Sequence, residues 1–320
     1  MKRPITLMLA LAAGLTGADC PEAAVSNGVI DARLYLPDAV RGYYRGTRFD
    51  WSGVVASLRY KGHEYFGVWF PRYDPQLHDS ITGPVEEFGA GDGGLGYAAA
   101  NPGGTFLRIG IGALRKPDEP AYRRFGTYEI ASHGQWKVRQ EAQSVEFTHE
   151  ASAAGYGYVY RKTVRLTPDE PEMVLEHSLR NTGSGPIATT QYNHNFFVID
   201  QQPSGPGYRV TFAFDARPSR GIRGPAVIDG RHLTFGRELG QAESVFTELT
   251  GFGPSAKDYD IRIENRNAGA AVRITGDRPL AKMVFWSNPR TVCPEPYIAI
   301  EVEPGREIAW SCRYRFSVLP

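Results

Sequence analysis

Past residue 20 the chain alternates apolar and polar positions in short runs, separated by Gly, Pro, Asn and Asp. Successive side chains on a strand point to opposite faces, so a period of two marks half-buried β-strands. Strands are expected on this basis over 29–36, 53–60, 64–70, 105–112, 125–131, 144–149, 156–166 and 172–181. The same pattern continues over 187–199, 208–214, 259–264, 271–275, 281–286, 297–303 and 307–318. Tyr, Phe, Val, Ile and Thr dominate these runs, as a pleated surface prefers. No stretch past Ala18 sustains a 3.6-residue apolar period over helix length. So many short strands predict an all-β fold, a large antiparallel sandwich or barrel. Gly/Pro-rich stretches at 71–104, 201–207 and 217–230 read as loops of the kind that rim a site. Without a repeat or a low-complexity linker, one domain over 19–320 is expected.

Composition changes this picture little. The 36 Gly and 23 Pro supply turns, and 42% hydrophobic with 12% aromatic residues are enough to bury a core. The net charge is +1 from 36 Lys+Arg and 35 Asp+Glu, so no basic excess exists to bind nucleic acid. At the N-terminus, Lys2 and Arg3 precede an apolar stretch over 5–15, then the small residues Thr16, Gly17 and Ala18. That order is a secretory signal over 1–18, and an exported, periplasmic or secreted protein starting at Asp19 is expected. A lipid anchor on Cys20 is the alternative, to which Asp19 is a poor fit. The stretch falls short of the about 20 apolar residues that span a bilayer, and no later segment reaches that length. Export permits disulfides, and both a Cys293–Cys312 bridge and two buried thiols remain open. No CxxC spacing suggests structural zinc.

Three strings carry polar chemistry. Gln191-Tyr192-Asn193-His194-Asn195-Phe196-Phe197 sets a histidine between two amides in an aromatic strand, after Asn181-Thr182-Gly183-Ser184-Gly185-Pro186. Phe285-Trp286-Ser287-Asn288-Pro289 leads to Cys293-Pro294-Glu295-Pro296-Tyr297, a glutamate locked between prolines, and then to Glu303-Pro304-Gly305. His133-Gly134-Gln135-Trp136 joins a histidine and a glycine to a tryptophan. Each also has an ordinary reading: a core histidine, a solvated turn glutamate, a turn leading into a core aromatic.

Together and in this order, the strings resemble the aldose 1-epimerases of the galactose mutarotase superfamily. The run from Asn181 to Phe197 is similar to the segment that presents that family's catalytic histidine. The stretch from Trp286 through Cys293-Pro294-Glu295-Pro296 to Gly305 resembles the hexose-phosphate mutarotase branch, where it carries the catalytic glutamate. His133-Gly134, the run over 144–149, Gly155-Tyr156-Gly157-Tyr158 and the opening Ser57-Leu58-Arg59-Tyr60-Lys61-Gly62-His63-Glu64-Tyr65 extend the likeness over roughly residues 27–316. The family's fuller string after the first histidine is only partly reproduced at His133-Gly134-Gln135. Its substrate-loop arginine has no unambiguous match, Arg108 being the nearest.

The resemblance implies a β-supersandwich and a mutarotase. Glu295 would act as base on the anomeric hydroxyl and His194, titrating near neutral pH, as acid on the ring oxygen. His133, Arg108, Asn193 and Glu87 would bind the substrate, a small carbohydrate, with no metal or organic cofactor. Glu86 and Glu87, in the place of a substrate loop, are expected as acids at the mouth that would repel a sugar phosphate. Two readings compete on the same fold. A glycan-active lyase or hydrolase would have an open groove, and a non-catalytic carbohydrate-binding protein would hold His194 and Glu295 more than about 10 Å apart. A metal site of His133, His194 and Glu295 ranks last.

Overall fold

A computed structural model describes residues 20–320, so the leader expected over 1–18 lies outside the described residues. Two antiparallel sheets dominate, one of ten strands and one of six, with smaller sheets of four and three strands beside them. The described residues contain no α-helix, and no helix among them is long and apolar enough to cross a membrane. The large sheets form the β-sandwich that the alternation predicts, because each strand buries one row of side chains against the other layer. In Glu307–Val318, for example, Trp310, Cys312, Tyr314 and Phe316 are buried while Arg313 and Arg315 face out. One continuous apolar core runs through strands of both large sheets, from Tyr160 and Leu175 to Phe285 and Ile300.

The six-stranded sheet builds the site. Its order is Arg217–Pro218, Val245–Thr250, Lys282–Asn288, Thr291–Val302, Ile187–His194 and Val85–Phe88. Tyr156–Leu166, Glu172–Asn181 and Glu307–Val318 occur as expected, whereas three departures from the predicted strands shape the pocket.

Val85–Phe88, expected as loop, is an edge strand with all four residues buried, paired with Gln191–His194. Its Val-Glu-Glu-Phe sequence hides the strand, since buried glutamates break the apolar pattern. The strand expected over 187–199 stops at His194, because Phe196 takes a left-handed backbone (φ 34°) and turns the chain. Thr291–Val302, expected to begin only at 297, runs through Pro294 and Pro296. Proline cannot donate to a ladder, so it survives only where no donor is needed. Val292 exchanges backbone hydrogen bonds with Phe197, and the ladder to Ile187–His194 starts again at Tyr297 opposite Tyr192. Pro294 and Pro296 share the parity of Val292 and fall in the gap between, where the neighbouring chain bends away.

Candidate active site

Alternation fixes which side chains meet. On Ile187–His194, Tyr192 and His194 face outward from the sandwich, and Gln191 and Asn193 face inward. On Thr291–Val302, Cys293, Glu295 and Tyr297 share the outward face, as Glu87 does on Val85–Phe88 and Trp286 on Lys282–Asn288. A cavity of about 410 Å³ opens over this face, lined by His194, Glu295, Trp286, Phe246, Arg48, Asp79, Arg124 and Phe125.

His194 and Glu295 converge. His194 Nε2 lies 3.3 Å from Glu295 Oε1, and both side chains are almost wholly buried. Tyr297 donates a long hydrogen bond (3.4 Å) to Glu295 Oε2. The other imidazole nitrogen, Nδ1, is 2.6 Å from Cys293 Sγ. Phe196 stacks on the imidazole at 3.7 Å between centroids and 10° between planes, with Trp69 stacked behind it. Phe49 and Trp286 meet the same ring edge-on. The left-handed turn at Phe196 therefore delivers the ring that clamps His194.

The charges around the pair are unevenly shared. Arg124 holds Glu87 in a bidentate bond (2.9 and 2.8 Å), and Arg48 Nε donates to it at 3.0 Å. Tyr192 also donates to Glu87, and Arg48 reaches Asp79 at 2.8 Å. Burial alone would raise the Glu87 carboxyl, but Arg48, Arg124 and Arg108 override it and hold it at about 2. Glu295 receives less help. Burial pushes its carboxyl up to about 7, only partly offset by Arg124 and Arg48. Burial, reinforced by Arg48 and Arg124, drives the His194 imidazole well below its usual value. The group poised to titrate near neutral pH is therefore Glu295 rather than His194, contrary to the sequence expectation.

The other residues singled out in the sequence fall elsewhere. Asn193 faces inward, accepts from Gln191 Nε2 (2.8 Å) and donates to Glu86 (3.2 Å). Arg108 is 1% exposed and lies behind the pocket wall, donating to the Gly89 and Arg48 carbonyls at 2.9 Å. It supports the segments that carry Glu87 and Arg48 rather than lining the cavity. Glu87 is fully buried beneath the two arginines, and Glu86 is buried on the inward face against Lys162 and His177. Neither stands at the mouth as an exposed acid, contrary to the sequence expectation; the acid on the cavity wall is Asp79, paired with Arg48. Two arginines line the cavity as well, the buried Arg48 and the part-exposed Arg124.

His133 lines a different cavity, with Trp51, Tyr128 and Arg45, its ring 5.3 Å from that of Trp51. It does not join His194 and Glu295, which leaves the three-residue metal site without one of its members. His194, Cys293 and Glu295 do form a compact group of possible ligands. However, Cys293 faces Nδ1 and Glu295 faces Nε2, and one ion cannot use both nitrogens of one ring. Cys293 and Cys312 are unbridged, Cys293 on the six-stranded sheet and Cys312 on the ten-stranded one.

Sequence reasoning missed Arg48, Asp79, Arg124, Phe125 and Phe246. None sits in a motif, and the pocket gathers them from loops and a neighbouring strand. Trp286 and Cys293 stood inside the quoted strings without a role.

No family model matches the chain, and no curated protein matches its sequence. Solved structures do match. A galactose mutarotase-like protein from Clostridium acetobutylicum is similar with a TM-score of 0.57 at 13% identity, over 96% of this chain and 98% of that one. A galactose 1-epimerase from Lactobacillus acidophilus is similar with a TM-score of 0.54 at 9% identity, over 93% and 95%. An aldose epimerase homologue from C. elegans gives 0.53 at 13% identity, over 94% and 100%. The architecture is thus a β-sandwich enclosing an outward-facing pocket, and it is the galactose mutarotase-like fold. At these identities the likeness is one of fold, and chemistry has to be argued from the site.

Proposed function

We propose that the protein is a carbohydrate-active isomerase of the aldose 1-epimerase type, interconverting the anomers of a sugar. The observation that carries this reading is the 3.3 Å approach of His194 Nε2 to Glu295 Oε1 in the wall of an aromatic-lined cavity of about 410 Å³. A binding module has no use for two buried, opposed proton carriers. A cavity of this size suits one sugar ring, with Trp286, Phe125 and Phe246 offering apolar faces.

Mutarotation needs only proton transfers. The ring oxygen gains a proton while the anomeric hydroxyl loses one, the ring opens to the aldehyde, the C1–C2 bond turns, and closure reverses both transfers. A pair holding a single proton performs the cycle, and the pair here favours the neutral form, with the proton on Glu295. Ring opening then takes the Glu295 proton to the ring oxygen while His194 Nε2 takes the hydroxyl proton. This exchanges the roles that the family resemblance implies. The leader-like residues 1–18 support an exported location.

Polarimetry of a pure sugar anomer against pH tests the assignment. With the proton on Glu295 in the working state, the rate is flat below neutrality and falls as pH rises through about 7. A rate that instead rises through that value would make Glu295 carboxylate the base, and an unchanged buffer rate across hexoses and uronates would remove the isomerase.

A further inference from the structure

His194 can act as a base at Nε2 only if its own proton sits on Nδ1, and a neutral imidazole chooses between these tautomers by the partner of the other nitrogen. That partner is Cys293. The sulfur is buried and not exposed to solvent, 2.6 Å from Nδ1, and it also accepts the backbone N–H of Phe196 at 2.9 Å. Sγ is therefore already used as an acceptor, by the residue whose ring clamps the imidazole. On the far side, a protonated Glu295 has Nε2 as its acceptor at 3.3 Å. With the proton on Glu295, the accounting closes as Glu295 O–H to Nε2, Nδ1–H to Sγ, and Phe196 N–H to Sγ; with a Glu295 carboxylate it would close as Nε2–H to Glu295 and S–H to Nδ1. In the first arrangement the one group left over is the thiol hydrogen, a weak donor that is cheap to leave unpaired.

We propose that Cys293 is the positioning residue that sets the tautomer of His194, its sulfur accepting Nδ1–H so that Nε2 is presented bare to Glu295 and the cavity. The inference rests on the isomerase reading for its consequence, but not for its geometry. Cys293 touches no reacting atom in this account and passes no proton to substrate. Burial raises the thiol well above its usual value, which keeps it neutral and so does not pull a proton onto the imidazole as a carboxylate partner would. This accounts for a site in which the glutamate, not the histidine, stores the proton.

The test reads the tautomer directly. Side-chain nitrogen NMR of the full protein, with the His194 signal among the seven histidines assigned by its loss in His194→Asn, should show Nδ1 protonated and Nε2 bare. Cys293→Ser keeps an acceptor and should keep that pattern, with a rate within about threefold of wild type. Cys293→Ala removes it and should mix the tautomers, lowering kcat by at least about tenfold, the direction in which a wrong histidine tautomer acts, while KM stays within about twofold. Nε2 protonated in the wild type, or an unaltered pattern in Cys293→Ala, would overturn the proposal. So would equal losses in the Ser and Ala variants, which would mark a packing role. Should no sugar be turned over, the isomerase reading fails, and the NMR arm still decides the tautomer.

Discussion

The two faces of the six-stranded sheet treat buried glutamates in opposite ways. On the inner face Glu86 meets Lys162 Nζ and His177 Nε2, the latter at 3.0 Å. Burial pushes its carboxyl up, but these partners override the penalty and hold it at about 2. On the outer face Glu295 is almost as deeply buried, but its nearest partner is the neutral His194, and the arginines near it are engaged by Glu87 and Asp79. Burial prevails there and the carboxyl rises to about 7. A paired buried carboxylate is a fixed strut, whereas one left without its own cation is poised to titrate near neutral pH. The difference separates the part of the sandwich that holds the fold from the part that can do chemistry.

The largest expected effect comes from breaking the strut. Lys162→Met takes the lysine from buried Glu86, leaving it only His177 and Asn193, and should lower unfolding free energy by about 3–5 kcal/mol, read from denaturant midpoints. An unchanged midpoint would mean that Glu86 does not depend on its lysine. On the outer face, His194→Asn should slow anomer exchange by about 100-fold or more while leaving the midpoint nearly in place. Loss of stability in proportion to rate would erase the distinction between the faces.

Acid and base should also act on the two glutamates with opposite sign. Glu86 is depressed in the folded state, so its contribution is present above the ordinary carboxylate range and is lost as pH falls toward about 2. Glu295 is raised in the folded state, so stability is greatest below the ordinary range and declines as pH rises through about 7. Glu295→Gln should therefore melt above wild type at pH 8 and level with it at pH 4. A variant that melts lower at pH 8 would show a carboxylate already stabilised when charged. The smallest effect is at the rim. Phe125→Ala, at a half-exposed ring, should raise KM by less than about tenfold, under about 1.4 kcal/mol, with kcat held. A fall in kcat instead would place Phe125 closer to the chemistry than the rim.

The sequence was informative where one face of a strand is dry and the other wet. Glu307–Val318 alternates cleanly, and Tyr156–Leu166 and Glu172–Asn181 do so over most of their length, so their period is visible without a structure. It was misleading where both faces are buried or where a special residue sits inside a strand. Val85–Phe88 hides buried charges and Thr291–Val302 hides two prolines, and those are the strands that carry Glu87 and Glu295. His194 and Glu295 were legible as strings, yet their meeting depends on the register of two strands far apart in the chain, Tyr192 opposite Tyr297, which no local pattern announces. Arg48 and Arg124 could not be found, because only the folded loops bring them beside Glu87. His133 lay in a suggestive string and belongs to another cavity.

The central claim is that the outer-face pair moves protons on a sugar. Its most direct test is the exchange rate between anomeric proton signals, followed by NMR for a panel of hexoses and uronates with wild type and Glu295→Gln. The account predicts that wild type exceeds the buffer rate for at least one sugar and that the glutamine variant loses about 100-fold or more of that excess. Buffer rates across the whole panel, or a glutamine variant as fast as wild type, would contradict it.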